Sequence, residues 1–167
     1  MSTTVSYMLK SATGQILPAM ASTLKKGQAY AASKDVEESV LLSARLYPDM
    51  SPLLRQYQMA ADTVARGAAR LAGRDMPSFP DTETSIDQLL KRLSDSNDFV
   101  QAIADAEMDA NETNELEIPL GPMTVNWEGR QYLSTFVLPN LHFHASIAFA
   151  LLRHQGVEIG KRDFLMA

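Results

Sequence analysis

Apolar residues return every three to four positions through four separate stretches of the chain, and only once does that rhythm switch to strict alternation. The first stretch, about Thr4 to Ala31, carries Met8, Ala12, Ile16, Ala19, Met20, Thr23 and Leu24 at helical spacing, with Ser2 to Thr4 available to cap its start. Pro18 lies inside it and removes the hydrogen bond to the Gly14 carbonyl, so a kink is expected there. A short helical piece, Asp35 to Leu46, precedes Tyr47-Pro48. The second long helix reads as starting with Ser51 as N-cap and Pro52 at the first helical position, where a missing N–H costs nothing. Its stripe is Leu53, Leu54, Tyr57, Ala61, Val64, Ala68 and Leu71, and Gly73 is placed to end it.

Arg74 to Glu83 holds two prolines and several turn formers and reads as a surface connection. Ser85 and Gln88 then stand at capping-box spacing ahead of a third helix built on Ile86, Leu89, Leu90, Leu93, Phe99, Val100 and Ile103. Past an acidic link, Asp105 to Glu115, the period becomes two. Leu116, Ile118 and Leu120, then Gly121-Pro122, then Met123, Val125 and Trp127 spell a hairpin, with Pro119 restricted to an edge or unpaired position. The fourth helix extends from about Gly129 to Gln155, with Gly156 as its C-cap. The pattern predicts an all-α four-helix bundle with a small β-hairpin inserted between the third and fourth helices, one domain over residues 1–167.

Composition narrows the function. With no cysteine, disulfides, thiolate nucleophiles and Cys-ligated zinc are excluded, so any metal would need His, Asp, Glu or amide ligands. Fifteen Lys and Arg against twenty Asp and Glu give a net charge of −5, which argues against nucleic acid as a partner. The N-terminus lacks a basic segment followed by an unbroken apolar core, and no stretch reads as the roughly 18 apolar residues of a membrane span. A cytoplasmic protein without membrane partners is the expectation.

The chemistry concentrates on the fourth helix. Leu133, Val137, Asn140, His144, Ala148 and Leu151 follow the spacing of a buried face, so Asn140 and His144 should point inward one turn apart. Pro139 frees the Thr135 carbonyl and bends the helix at that level. An inward histidine is as a rule a hydrogen-bonded core residue; an amide beside it makes a pocket the competing reading. His142 lies on a different face, and His154 near the helix end suits a dipole-compatible cap. On the second helix, Gln58 and Asp62 stand one turn apart beside the apolar stripe, within reach of a pocket edge, with Arg55 and Gln56 nearby in a structural role. Trp127 and Tyr132 read as a lid at the hairpin junction. The expected binding set is Gln58, Asp62, His142 and Trp127 around Asn140 and His144. If the pocket performs chemistry, His144 is the general acid or base and Asn140 orients a carbonyl.

Leu42 to Asp62, Arg70-Leu-Ala-Gly73 with Pro77-Ser-Phe79, and Leu138-Pro-Asn140 through Leu152-Arg-His-Gln-Gly-Val-Glu-Ile-Gly-Lys-Arg-Asp-Phe-Leu165 resemble the DUF1993 family over nearly the whole chain. That family in turn resembles the DinB/YfiT-like superfamily. The resemblance implies a four-helix bundle, a homodimer, and a divalent metal held by one second-helix histidine and a His-x-x-x-His pair on the last helix. Counting back from Leu152-Arg153-His154-Gln155-Gly156, that pair falls on Asn140 and His144, and the second helix offers Gln56, Gln58 and Asp62 but no histidine. Amides are weak ligands for zinc or nickel, so no cofactor is expected and His144 is the residue a metal would use if any. Three functions follow: a small-ligand-binding bundle, a degenerate metal-dependent transferase or hydrolase, and a non-catalytic dimer.

Overall fold

Thr4 opens the first helix by accepting the Tyr7 backbone N–H on its hydroxyl, and α1 then runs unbroken over Val5–Ser33. In this computed structural model, which describes residues 4–166, Pro18 sits inside α1 without ending it. Ser2 and Thr3, the other expected caps, lie outside the described residues. The helical piece expected over Asp35 to Leu46 shrinks to α2, Glu38–Leu42. Asp35 takes a left-handed φ of 55° and the Val36 N–H folds back onto the Ala31 carbonyl, so these residues are spent in turning the chain.

The next helix, α3, spans Leu53–Leu71 and begins one position later than the sequence suggests. Pro52 is its extended N-cap, and Ser51 supplies no side-chain cap; its carbonyl instead accepts the Gln56 side-chain N–H. At the other end Gly73 adopts φ 64°, which lets Arg74 and Gly73 return their N–H groups to Ala69 and Arg70. The capping box of Ser85 and Gln88 starts α4, Ile86–Ala102. The acidic link contains a helix the periodicity does not reveal, α5, Asp105–Asp109. Its Asp109 accepts the Ser6 backbone N–H and hydroxyl, both at 2.9 Å, placing negative charge at the start of α1.

The hairpin forms as the alternation predicts, β1 over Glu115–Leu120 and β2 over Met123–Glu128, antiparallel with Ile118 opposite Val125. Gly121, at φ 59°, and Pro122 make a two-residue turn of the kind that needs glycine first. The fourth long element is not one regular helix. It comprises α6, Gly129–Tyr132, a π-helical turn over Leu133–Val137, and α7, Leu138–His154. The disturbance expected at Pro139 is met by this wide turn just ahead of it, in which Leu138 bonds back to Leu133. A short α8, Lys161–Leu165, follows.

The four long elements close a ring: α1 packs on α4 and α7, and α3 packs on the same two. Gly129–His154 is in fact long and apolar enough by composition to cross a membrane, at mean hydropathy 1.4, which corrects the expectation that no such stretch exists. Here its apolar face, with Leu133, Val137, Leu141 and Leu151 fully buried, closes the bundle. The tight approach comes from α3, where Ala60, Ala61, Ala65, Ala68 and Ala69 are all buried. Gly67 meets the π-helical turn so closely that a Cβ would stand 2.8 Å from Val137 Cγ1. Gly67→Ala should therefore overpack this crossing and lower stability by about 1–3 kcal/mol, despite the better helix propensity of alanine. Urea denaturation of the two proteins measures it.

Candidate functional site

Beside the apolar stripe of α3 runs a second one at the same spacing, made of Arg55, Met59, Asp62, Thr63, Arg66 and Arg70. It forms one side of a cleft of about 720 Å³. Tyr132, Phe136, Asn140 and His144 line the other side, the loop from Met76 to Asp81 adds a further wall, and Pro119 of the hairpin reaches one corner. Steps of four advance by about 40° each around a regular α-helix, so positions 132 to 144 would drift off one face. A π-helical turn holds more residues per turn, and steps of four fall behind in it. The turn at Leu133–Val137 thus cancels drift and keeps all four side chains on the cleft.

His144 is 8 % exposed, and its Nδ1 lies 2.9 Å from Gln56 Oε1. The Gln56 amide is oriented by its Nε2, which donates to the Ser51 carbonyl at 2.9 Å. Its oxygen must therefore accept, His144 carries its proton on Nδ1, and Nε2 keeps a free lone pair at the cleft. Burial lowers the His144 pKa, so the ring is neutral at pH 7. One turn away, Asn140 Nδ2 donates to Thr63 Oγ1 at 2.8 Å, and the Thr63 hydroxyl donates in turn to the Met59 carbonyl. Asn140 Oδ1 has no protein donor among the described residues.

The loop wall is held from behind by Arg92 of α4, only 3 % exposed. Its guanidinium donates to the carbonyls of Phe79 and Pro80, pairs with Asp62 at 2.5 Å, Glu83 at 2.7 Å and Asp81 at 3.1 Å, and lies over the Phe79 ring. Gln58 bridges Arg55 and Glu83, and Arg55 pairs with Asp81. Burial works to raise the Glu83 and Asp81 pKa values; the arginines beside them, with Gln58 on Glu83, prevail and hold both below the usual carboxylate range.

The structure thus brings Asn140, His144 and Asp62 together on the cleft. Gln58 is buried in the ion-pair network behind it, Trp127 packs on the cleft residue Phe136 with ring centroids 6.3 Å apart, and His142 is exposed away from it. Gln56, taken as structural, is the partner that fixes His144. The stretch read as a mere surface connection supplies a wall, where the hairpin contributes only Pro119. Arg66, Arg70 and Arg92 were not singled out, although the polar stripe of α3 carries the first two at helical spacing.

A mostly helical ring of this topology with a two-stranded insertion is the DinB-like bundle. Its likeness to the 1.83 Å crystal structure of a DinB family member protein from Shewanella denitrificans has a TM-score of 0.87, with 33% sequence identity over 95% of this chain and 89% of that one. The chain belongs to the DUF1993 family, a domain of unknown function, whose family model matches residues 8–165. No curated protein matches it.

The metal that the superfamily resemblance implies does not fit the donors present. Gln56 has both amide atoms engaged, and what is left is one imidazole nitrogen of His144 and the Asn140 amide oxygen, a weak ligand for zinc or nickel. Among the described residues no three His, Asp or Glu side chains cluster as a metal would require.

Arg92→Met should cost about 3 kcal/mol or more, because it removes the buried cation that Asp62 and Glu83 share. Asp81 and Glu83, with their lowered pKa values, stabilise the fold fully above the unfolded-state range near roughly pH 4 and lose that contribution as pH falls through their lower folded values. Urea midpoints should drop on acidification below that range in the parent protein and respond less steeply in Arg92→Met.

Proposed function

We propose that this DinB-like protein binds a small ligand in the cleft between α3 and α7, at Asn140 and His144, with Asp62 at its edge. The observation that carries the reading is the neutral His144 ring, whose Nδ1–H is bound by an amide that is itself pinned, so that the Nε2 lone pair is presented to open space. An oriented acceptor that opens onto the cleft is available to a ligand's hydrogen-bond donor. Asn140 Oδ1 offers a second acceptor one turn away. The volume of the cleft suits a molecule of metabolite size.

The same features equip His144 for general-base work on a bound hydroxyl. Its ring is unprotonated at neutral pH, and Gln56 holds it in the tautomer with Nε2 free. Gln58 and Trp127 support the walls from behind in this reading and do not touch the ligand.

A fragment library screened by NMR tests the proposal. Bound fragments should shift the His144 and Asn140 side-chain signals and lose affinity in His144→Ala; fragments that bind only elsewhere, or bind His144→Ala unchanged, would count against it. In the free protein His144 should titrate below the ordinary value near roughly 6.5. Because that folded pKa is depressed, its contribution to stability is present above the unfolded-state value and is lost as pH falls through the folded one. His144→Asn should flatten that part of the pH profile of the thermal midpoint.

A further inference from the structure

The cleft has two chemically opposite ends. At one, His144 Nε2 and Asn140 Oδ1 offer lone pairs. At the other, Arg66, Arg70 and Tyr132 offer N–H and O–H donors. Arg70 forms no ion pair with any carboxylate among the described residues; it donates through Nη1 to Tyr132 Oη at 3.3 Å and lies over that ring, 5.7 Å from its centroid. The ring cannot easily swing away, since Tyr132 is 2 % exposed and stacks on Phe136. Arg66 stands one turn earlier on the same face of α3. It reaches only Asp62, at 3.3 Å, and Asp62 gives its other oxygen to Arg92 at 2.5 Å.

The local charge does not cancel. Arg55, Arg66, Arg70 and Arg92 face three carboxylates, Asp62, Asp81 and Glu83, and the latter three are bound mainly by Arg55 and Arg92. The excess positive charge sits at Arg66 and Arg70, inside a chain whose net charge is −5. Two guanidiniums one turn apart, one of them already oriented by an aromatic ring, match the donor geometry that carboxylate and phosphate oxygens accept. The Tyr132 hydroxyl accepts from Arg70 and retains its own proton to donate. Burial raises its pKa against the opposing charges of Arg70 and Arg66, so that proton stays in place at neutral pH.

Resting on the small-ligand reading above, we infer that the Arg66, Arg70 and Tyr132 end of the cleft binds the oxyanion of a small molecule, a carboxylate or phosphate, whose hydroxyl reaches His144 and Asn140 at the opposite end. A polar acid of this kind is held at both ends by groups of the complementary sense. A neutral polyol would leave the guanidiniums unmatched, and a cation would meet them as like charge.

Inorganic phosphate, glycerol 3-phosphate and glycerol, each titrated at low ionic strength and followed by NMR of the arginine side chains and the His144 ring, test the assignment. Both phosphates should move the Arg66 and Arg70 signals, and the ester should also move His144. Arg70→Gln should weaken the ester about tenfold or more, as loss of a charge-assisted hydrogen bond does. Arg66→Gln, at a side chain 58% exposed, should weaken it in the same sense without depending on how well Arg70→Gln folds. Glycerol binding as tightly as its phosphate would overturn the assignment, as would ester affinity unchanged in both variants or no response to either anion at about 10 mM. Neutral fragments that occupy the cleft at His144 while both anions stay unbound would overturn the oxyanion alone; a cleft that takes neither would overturn the small-ligand reading with it.

Discussion

A guanidinium withdrawn from water must be met by charge and by hydrogen bonds, and the burial of Arg92 imposes that demand on two separate segments at once. Its two Nη atoms are met by Asp62 from α3, by Asp81 and Glu83 from the connection after α3, and by two backbone carbonyls of that same connection. The consequence is architectural. A proline-containing stretch with little regular structure is fastened against the bundle and becomes a wall, and the carboxylates that would otherwise neutralise the cleft are drawn toward α4. The positive surplus at Arg66 and Arg70 follows from where this one side chain is buried.

The second constraint is a matter of phase. The small residues of α3 let the fourth long element approach closely, and Gly67 meets it at Val137, inside the π-helical turn. That turn brings Tyr132 and Phe136 into line with Asn140 and His144. A proline in a core helix and a glycine in its neighbour therefore act together: the first disturbs the hydrogen-bond ladder, the second leaves room for the wider turn. The cleft lies where the two helices cannot close completely.

Much of this was legible from residue order. Four helices, the hairpin register, the Ser85 capping box, the Gly73 and Gly156 endings, and the inward placement of Asn140 and His144 all rest on local rules that tertiary contacts left standing. What escaped depended on partners distant in sequence. Arg92 reads as an ordinary solvent-facing helix residue until Phe79, Pro80 and Glu83 are seen to fold over it, and Gln56 gains its role only across 88 positions from His144. The π-helical turn has Pro139 as its one local sign, and a proline predicts a bend without saying how the ladder will absorb it. Likewise α5 was hidden in the acidic link because its single buried anchor, Met108, makes no periodic pattern.

The hairpin carries an obligation of a different kind. A ribbon of two strands has two bare edges, and each is a template on which a strand from another copy can grow. On β1, Pro119 removes one of the N–H groups such growth would use, while Glu115 and Glu117 on the same strand set carboxylates against those of any identical strand drawn alongside. The proline that closes a corner of the cleft thereby also interrupts the ribbon as a seed for self-association, so that crowding many copies together need not end in fibrous aggregates built on this edge.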